Sequence, residues 1–365
     1  MDVIAAVTRA PGADFEFTTL QLDEPRADEI RVRIAAVGVC HTDLVARDGA
    51  IPVALPAVFG HEGAGVVDAV GASVTKVKPG DRVAITFRSC GQCDRCKSGD
   101  PAYCYMMPAL NYIGMRPDGT KALREGEAAV SSNFFGQSSF ASYALAYETN
   151  VVRLPDDIPF ELAAPLGCGI QTGAGGVMLA LGAKAGSTIL ITGGGAVGLA
   201  AVMGAAIQGC GTIIVLEPHA ARRELAKELG ATHAIDPGAG DVTAAVRAIL
   251  AVGVDYAFDT TGRPDVLASI MGCLAPKGVL GIVGIPPAGT PLPGDLGAVL
   301  TFGQTVRGII EGDSDPDEFL PQLIDAWRAG KLPLEKLVRT YPFAEINAAI
   351  AAQHHGDCVK VVLTL

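Results

Sequence analysis

A strand, glycine turn and helix near the middle of the chain limit its possible folds more than any other feature. The apolar run 189–191 suits a strand buried on both faces. Gly193, Gly195 and Gly198 then complete the pattern G-x-G-x-x-G, which also contains Val197, and alanine-rich sequence that favours helix follows. This order predicts a dinucleotide-binding unit in which the glycines allow a tight turn, close approach of a pyrophosphate and close helix packing.

A second apolar strand, at 213–216, leads into Glu217. An acid at this position is expected to bind a ribose 2′-hydroxyl and to repel a 2′-phosphate, so NAD is favoured over NADP. Arg222, a candidate cofactor contact, and Arg223 lie just beyond and weaken that preference. The uncharged stretch 187–216 is also long enough for a membrane span, but its glycines suit a strand–helix–strand unit better.

Length and composition agree with an α/β protein of about two domains. The chain has 365 residues, of which 18% are charged and 49% hydrophobic. Its net charge of −11, without any run of Lys or Arg, argues against nucleic acid and anionic membranes as partners. The first residues lack the basic start and apolar core of a signal peptide, so we expect a cytoplasmic protein.

The pattern of apolar and polar residues changes at about residue 160. Short Val/Ile-rich segments before it predict a β-rich domain, and alternating helix and strand patterns after it predict a doubly wound parallel sheet. Within the second part we predict helix through 160–182 and an apolar edge strand at 299–310. The tail should contain helices near 319–329 and 343–353 and a strand at 358–365, and its pattern does not assign it to either domain.

Four clustered cysteines predict a metal site. Cys90, Cys93, Cys96 and Cys104 have the spacing C-x2-C-x2-C-x7-C, which can surround one Zn²⁺ tetrahedrally and leave no open position. Such a closed site is structural. The alternative is that these four cysteines bind an iron–sulfur cluster.

A dispersed set offers a second metal site. Cys40, His61 and Cys168 could supply the two cysteines and one histidine of a catalytic zinc, which keeps its fourth position open. Spacing alone leaves another interpretation, because an isolated buried cysteine commonly packs as a small apolar residue.

Together these motifs resemble the zinc-dependent medium-chain alcohol dehydrogenases. The resemblance rests on the segments 38–43, 60–65 and 168–173, the cysteine lobe and the glycine turn, and it covers essentially the whole chain. Segments 134–140 and 171–175 look most like the aryl (benzyl) alcohol dehydrogenases, whose terpenoid-specific relatives share them. The resemblance implies a GroES-like catalytic domain at 1–165 and 310–365, with its zinc lobe at about 88–106, and an inserted Rossmann domain at 166–309.

The resemblance also implies roles for individual residues. Cys40, His61 and Cys168 would bind the catalytic zinc, and the four-cysteine lobe would bind a second, structural zinc. Asp43 would accept a hydrogen bond from His61, and Glu62 would lie behind the metal. Thr42 would be the first proton acceptor, Thr172 would contact the nicotinamide, and Arg263 and Lys360 would face the cofactor. His41 stands where many family members have an arginine beside the pyrophosphate. The histidine that ends the proton relay in some branches of the family is missing, so the relay would end in water or at His41.

The implied reaction is oxidation of a primary aromatic or allylic alcohol to its aldehyde, with hydride transfer to NAD⁺. Phe87, Phe134 and Phe135 are candidates for the substrate wall, although aromatic residues also dominate protein cores. The family suggests a homodimer or homotetramer joined through the cofactor domain. The alternatives are a terpenoid or aliphatic alcohol dehydrogenase, a zinc-free reductase of the same architecture, and a non-catalytic zinc module.

Overall fold

A computed structural model describes all 365 residues, and the chain forms two compact units. The first contains residues 1–168, 315–325 and 334–365, and the second contains residues 169–314 and 326–333. The chain first passes from one unit to the other between residues 168 and 169, within a few residues of the boundary expected from sequence. The tail differs from expectation, because it contributes a short segment to the second unit before it ends in the first.

The first unit is built on two sheets. Its strands are β1 (Asp2–Thr8), β2 (Glu16–Leu22), β3 (Glu29–Gly38), β4 (Ala57–Val58), β5 (Glu62–Val70), β6 (Arg82–Ile85), β7 (Leu123–Glu125), β8 (Ala128–Val130), β9 (Tyr143–Tyr147), β10 (Val151–Arg153), β17 (Val338–Pro342) and β18 (Lys360–Thr364). One sheet has five strands in the order β4-β1-β2-β7-β8, and the other follows the path β10-β6-β5-β3-β18-β17, with β9 also paired to β3. The C-terminal strand β18 thus pairs antiparallel with β3, Val362 opposite Gly38.

Short helices connect these strands. They are α1 (His41–Arg47), α2 (Asp94–Lys97), α3 (Met107–Asn111), α4 (Phe160–Ala163), α11 (Pro316–Arg328), whose last residues enter the second unit, and α12 (Ile346–His355). Helix α1 directly follows Cys40 and begins the connection from β3 to β5. This connection places the two sequence motifs around Cys40 and His61 at the same end of the sheet, because β3 and β5 pair with Gly38 opposite Glu62.

The second unit is a six-stranded parallel sheet with helices between its strands. The strands follow the order β13-β12-β11-β14-β15-β16. The elements are α5 (Gly169–Gly175), β11 (Thr188–Thr192), α6 (Ala196–Ile207), β12 (Thr212–Leu216), α7 (Ala220–Glu228), β13 (His233–Ile235), α8 (Val242–Ile249), β14 (Val254–Asp259), α9 (Pro264–Met271), β15 (Leu274–Ile282), α10 (Leu296–Phe302) and β16 (Thr305–Gly308). The predicted fold class, a GroES-like β-rich domain with a doubly wound parallel sheet, is confirmed.

One predicted helical segment is interrupted, and one predicted strand is wrong. The segment 160–182 is largely helical, as predicted, but the chain leaves helical geometry at Cys168 and α5 continues into a π-helical turn at Gly176–Ala180. The predicted strand at 299–310 is the end of helix α10 followed by β16, with Gly303 in left-handed conformation (φ 62°) between them. No single helix is long and apolar enough to span a membrane, although Phe160–Gly167 and Gly169–Ala180 pass that test as a bent pair by length and composition.

A buried ion pair joins the start of β3 to the segment between α3 and β7. Arg116 and Glu29, with side chains 2% and 1% exposed, form two parallel bonds of 2.6 and 2.9 Å. The backbone N–H of Arg26 and the hydroxyl of Tyr147 also donate to Glu29. Burial raises the pKa of Glu29, but these bonds outweigh it and the pKa is lowered overall. The carboxylate therefore contributes stability above its unfolded pKa, and this contribution is lost as the pH falls through the lower folded value.

We expect Arg116→Met to lower the free energy of unfolding by about 3–5 kcal/mol near neutral pH, because it leaves the carboxylate of Glu29 buried and unpaired. Arg124→Ala is the matched control. Arg124 also binds Asp23, at 2.7 Å, but is 48% exposed, so its loss should cost less than about 1 kcal/mol. Urea unfolding at pH 7 and pH 4 measures both values, and equal destabilisation by the two substitutions would contradict the expectation.

Candidate active site

Four metal-ligating groups, three of them buried and the fourth, Cys40, half-buried, meet at one end of the sheet that contains β3 and β5. The ligand atoms of Cys40, His61, Glu62 and Cys168 lie within 4.8 Å of one another. Cys40 follows β3, His61 and Glu62 stand at the start of β5, and Cys168 lies where the chain breaks between a 3₁₀ turn and α5. Because all four belong to the first unit, this unit assembles the cluster by itself.

Asp43 joins the two motifs of this cluster. Its Oδ1 atom lies 2.8 Å from Nδ1 of His61 and accepts the backbone N–H of Gly60 at 2.9 Å. Its Oδ2 atom accepts the backbone N–H of Cys40 at 3.1 Å. The carboxylate is fully buried and fixes the imidazole with Nδ1 toward Asp43, which leaves Nε2 for a ligand.

The other nitrogen of His61 lacks a hydrogen-bond partner. Nε2 is buried without one, although buried polar atoms are nearly always paired. Phe135 stacks on the imidazole with ring centres 4.3 Å apart, and Phe134 meets it edge-on at 5.7 Å. A zinc ion held between His61 Nε2 and the two cysteine sulfurs would satisfy this atom, so the residues fit the metal.

Glu62 and Lys360 form an ion pair beside the ligands. Lys360 Nζ lies 2.5 Å from Glu62 Oε2 and also donates to the carbonyl of Val39. Gly38 makes room for the carboxylate, because a Cβ atom there would lie 1.9 Å from Glu62 Oε2. Burial raises the pKa of Glu62 to about 7, against the opposing effect of Lys360. Lys360, which was expected to face the cofactor, has its ammonium group buried against Glu62, and its contact with the cofactor stays a prediction.

The charges around the cluster favour a thiolate. The contact with Cys168 holds the pKa of Cys40 well below its ordinary value, and His61 and Lys360 act in the same direction. Burial opposes a charged imidazole, but the neighbouring Asp43 and Cys40 raise the pKa of His61 well above its usual range. Because metal ligands must be thiolates and neutral imidazoles, metal binding competes with protons at these groups and strengthens as the pH rises.

The four-cysteine lobe forms a separate cradle. The Sγ distances are 3.9 Å for Cys90–Cys96, 3.5 Å for Cys93–Cys96 and 3.9 Å for Cys93–Cys104. Sulfur atoms bound at 2.3 Å to one tetrahedral zinc lie about 3.8 Å apart, so the cradle fits a single ion. Backbone N–H groups donate to the sulfurs of Cys90 and Cys104, as suits thiolates. These short distances argue against the multi-iron cluster, whose own atoms would separate the cysteines further.

The glycine turn in the second unit opens onto a cavity of about 740 Å³. Gly193, Glu217, Arg222 and Arg263 line it, with the walls completed by residues that follow β13 and β14. The three motif glycines have the expected geometry. Gly193 has a φ of 90°, a Cβ atom on Gly198 would lie 1.8 Å from the carbonyl of Gly193, and the space beside Gly195 is open.

Glu217 lines this cavity, and backbone N–H groups hold its buried carboxylate. Its Oε2 accepts the N–H of Gly194 at 2.5 Å, and its Oε1 accepts the N–H of His219 at 2.8 Å. Arg223 donates to the carbonyls of Glu217 and Pro218, so it is engaged within the protein. Of the arginines considered from sequence, Arg222 and Arg263 line the cavity, and Arg263 is paired with Asp265 at 2.8 Å.

The remaining predicted residues take varied positions. Thr42 Oγ1 lies 3.8 Å from Cys40 Sγ, and His41 is exposed at the first position of α1. Thr172 is buried in α5 with its hydroxyl 3.5 Å from Glu311, and Val197 is half-buried in the first turn of α6. Phe134 and Phe135 contact His61, whereas Phe87 is buried without a ring contact to it.

Sequence reasoning did not identify Gln137 as a supporting residue. Its Nε2 donates to the carbonyl of His61 at 2.8 Å, and its Oε1 accepts the N–H of Gly63. The segment around it is strained, with left-handed φ values at Asn133, Phe135 and Ser138. Such strain is typical of functional sites, and here it turns Phe135 onto the imidazole. The polar run 137–139 between two phenylalanines was the available signal.

Comparison with known proteins identifies the family. Residues 26–156 match the family model described as alcohol dehydrogenase GroES-like domain, and residues 196–326 match that of the zinc-binding dehydrogenases. A geraniol dehydrogenase from Castellaniella defragrans is 48% identical over 98% of this chain and 96% of its own. The chain belongs to the zinc-dependent medium-chain alcohol dehydrogenases.

Solved structures agree with this assignment. The dehydrogenase is similar to an alcohol dehydrogenase zinc-binding domain protein from Burkholderia ambifaria, with a TM-score of 0.98 and 48% identity over 100% of this chain and 99% of that one. It is also similar to benzyl alcohol dehydrogenase from Acinetobacter calcoaceticus, with a TM-score of 0.97, 42% identity and the same coverage. Zinc and NAD are the cofactors of the dehydrogenase.

We expect Asp43→Asn to weaken zinc binding at the Cys40–His61–Cys168 site about 10- to 100-fold, because the amide cannot fix His61 and support its basicity as the carboxylate does. Competition with a chelator, followed by metal analysis, should show one of two zinc ions lost early. Asp48→Asn is the matched control, since Asp48 is exposed just after the same helix and pairs only with Arg47. Identical chelator curves for Asp43→Asn and wild type would contradict this expectation.

Proposed function

We propose that this dehydrogenase oxidises primary aromatic or allylic alcohols to aldehydes and transfers the hydride to NAD⁺, reversibly. The observation that carries the proposal is the buried cluster of Cys40, His61 and Cys168 with the unpaired Nε2 of His61. Two cysteines and one histidine leave a fourth position for a substrate oxygen on zinc. A closed four-ligand site, such as the cysteine lobe, would have no such position.

The chain's own residues would prepare this reaction as follows. When bound, zinc supplies Lewis acidity toward the alcohol oxygen and NAD⁺ accepts the hydride. Asp43 holds His61 in the tautomer that leaves Nε2 free to bind the metal. Lys360 balances the negative charge of Glu62 beside the metal ligands. The hydroxyl of Thr42 lies 3.8 Å from Cys40 Sγ. Thr42 would receive the hydroxyl proton of the alcohol and pass it toward solvent, and the exposed His41 adjoins it in sequence.

The substrate class follows from two relatives and one local feature. Geraniol dehydrogenase and benzyl alcohol dehydrogenase, as named, act on alcohols whose carbinol carbon adjoins an unsaturated carbon. In this chain Phe135 stacks on His61 and contacts Phe134 and Tyr112, so aromatic rings pack around the histidine of the zinc site. We take this aromatic environment to favour a flat, unsaturated group beside the hydroxyl. An aliphatic or terpenoid specificity is the alternative.

For the cofactor, we propose that the glycine turn binds the pyrophosphate of NAD⁺ and that Glu217 meets the adenosine ribose. The cavity lined by Gly193, Glu217 and Arg263 supports this placement. A carboxylate at the ribose disfavours a 2′-phosphate. Arg263 pairs with Asp265, and Arg223 donates to backbone carbonyls, so less positive charge is available to bind a 2′-phosphate.

The direct test is a substrate and cofactor screen. We expect NADH formation with benzyl alcohol and geraniol to exceed that with 1-octanol in kcat/KM, and NAD⁺ to be preferred over NADP⁺. Cys40→Ser should lower kcat/KM about 10³-fold or more, since Lewis-acid stabilisation is worth several kcal/mol. NADH binding should persist in this variant.

The matched control for the screen is Cys210→Ser. Cys210 is half-buried in the second unit, outside both cysteine clusters, so its replacement should preserve turnover. Full turnover by Cys40→Ser would refute the zinc mechanism. A preference for 1-octanol with normal zinc content would refute only the aromatic or allylic substrate class.

We further propose that the enzyme is a homo-oligomer assembled through the second unit. Strand β16 is an edge of the six-stranded sheet. Next to it in sequence, Leu292, Leu296 and Leu300 are 82, 83 and 84% exposed, and the last two share one face of α10. An exposed sheet edge with leucines beside it suits pairing with a second copy around a two-fold axis.

Leu296→Asp with Leu300→Asp should therefore shift the protein toward monomer in light scattering after gel filtration, because two buried charges oppose an apolar contact. Val252→Asp is the control, since Val252 is 70% exposed but belongs to another loop of the same unit. An unchanged mass for the double variant would place any interface elsewhere.

We propose the cytoplasm as the setting of this activity. The four-cysteine lobe binds metal only while its sulfurs remain reduced, which a reducing compartment favours. The net charge of −11 continues to argue against nucleic acid or an anionic membrane as a partner.

A further inference from the structure

The glycine turn contains a fourth glycine, Gly194, whose presence the dinucleotide motif does not explain. Gly193 is required by its left-handed φ of 90°, and Gly198 by its contact with the turn carbonyl. Gly195 faces open space, where a pyrophosphate can approach. Gly194 has neither a left-handed φ nor an open side. A residue with a side chain could adopt its backbone conformation, so another constraint must act at this position.

That constraint is the side chain of Glu217. A Cβ atom on Gly194 would lie 2.9 Å from both Cγ and Oε2 of Glu217 and 3.2 Å from Cδ. Packed carbon atoms prefer separations of about 3.5–4.0 Å, so the two groups could not keep these positions. No other residue approaches the site of this Cβ atom as closely.

The same glycine also binds the carboxylate. Its N–H donates to Glu217 Oε2 at 2.5 Å, while the N–H of His219 donates to Oε1 at 2.8 Å. Each carboxylate oxygen accepts about two hydrogen bonds, so one site on each remains for a ribose hydroxyl. The two backbone bonds hold the carboxylate in one orientation where Glu217, which is 3% exposed, lines the cavity.

We propose that Gly194 is a positioning residue for Glu217 and thereby sets the affinity for NAD and the discrimination against NADP. The absence of a side chain at 194 lets the long acid fold back against the turn, and the N–H of Gly194 then orients it toward the adenosine ribose. This inference rests on the proposed cofactor site. A substituent at 194 would displace the carboxylate, because the side chain of Glu217 can move more readily than the backbone of the turn.

The experiment is a double-substitution cycle on the zinc-loaded enzyme, read as the Kd of NADH and of NADPH by isothermal titration calorimetry. Gly194→Ala should raise the Kd of NADH about tenfold or more, the effect of losing a hydrogen bond to a charged group. Glu217→Ala should have at least the same effect. Adding Gly194→Ala to Glu217→Ala should then change the Kd of NADH by less than about twofold, because the only group that the new methyl displaces is gone.

The affinity for NADPH separates positioning from general damage. A turn that had lost its shape would bind both cofactors less well, since both present the same pyrophosphate to it. Displacement of Glu217 alone should raise the Kd of NADH while changing the Kd of NADPH by less than about threefold. The Kd of NADPH divided by the Kd of NADH should therefore fall. Equal weakening of both cofactors by Gly194→Ala would overturn the proposal.

The control is Gly272→Ala. Gly272 is exposed just after α9, has a φ of −66°, and a Cβ atom there would lie 3.4 Å from Thr243, which is an ordinary contact, so a methyl group there should leave NADH binding unchanged. If wild-type protein bound no NADH, the proposed cofactor site and this inference would both be wrong. If wild type bound NADH but Gly194→Ala bound it equally well, or if the two substitutions acted additively, only this inference would be wrong.

Discussion

The active site of the first unit depends on the carboxylate of Asp43. It is fully buried and bonds the backbone at Cys40 and at Gly60 as well as the imidazole of His61. It therefore determines at once the start of α1, the entry into β5 and the direction of the histidine. Because these bonds join residues that are up to 18 positions apart in sequence, they fix Cys40 and His61 relative to each other.

Much of this organisation could be predicted from the sequence. The strand, glycine turn and helix around Gly193 are specified by local chemistry, and the four cysteines have a spacing that few other functions require. The contact between Asp43 and His61 followed from the resemblance to the family. Each of these features combines residue type with short sequence separation, which is where sequence patterns are most informative.

Other features depend on contacts that a linear pattern does not contain. The resemblance assigned Lys360 to the cofactor, and nothing in the sequence shows that the pairing of β18 with β3 brings it against Glu62. The break at Cys168 interrupts an apolar stretch with good helix-forming composition, because local geometry there serves a ligand rather than propensity. In the same way, the run 299–310 is apolar enough for a strand, yet the left-handed Gly303 divides it into helix and strand.

The ion pair of Glu62 and Lys360 has a consequence for the charge of the buried site. Lys360 balances the charge of Glu62, so the charged groups that remain beside the metal position are the two cysteine thiolates and the carboxylate of Asp43. Without the ammonium group, the same buried space would contain one more negative charge without a counterpart, which is costly in a medium of low polarity. A residue near the C-terminal end of the chain that binds no metal therefore limits the negative charge that this part of the core contains.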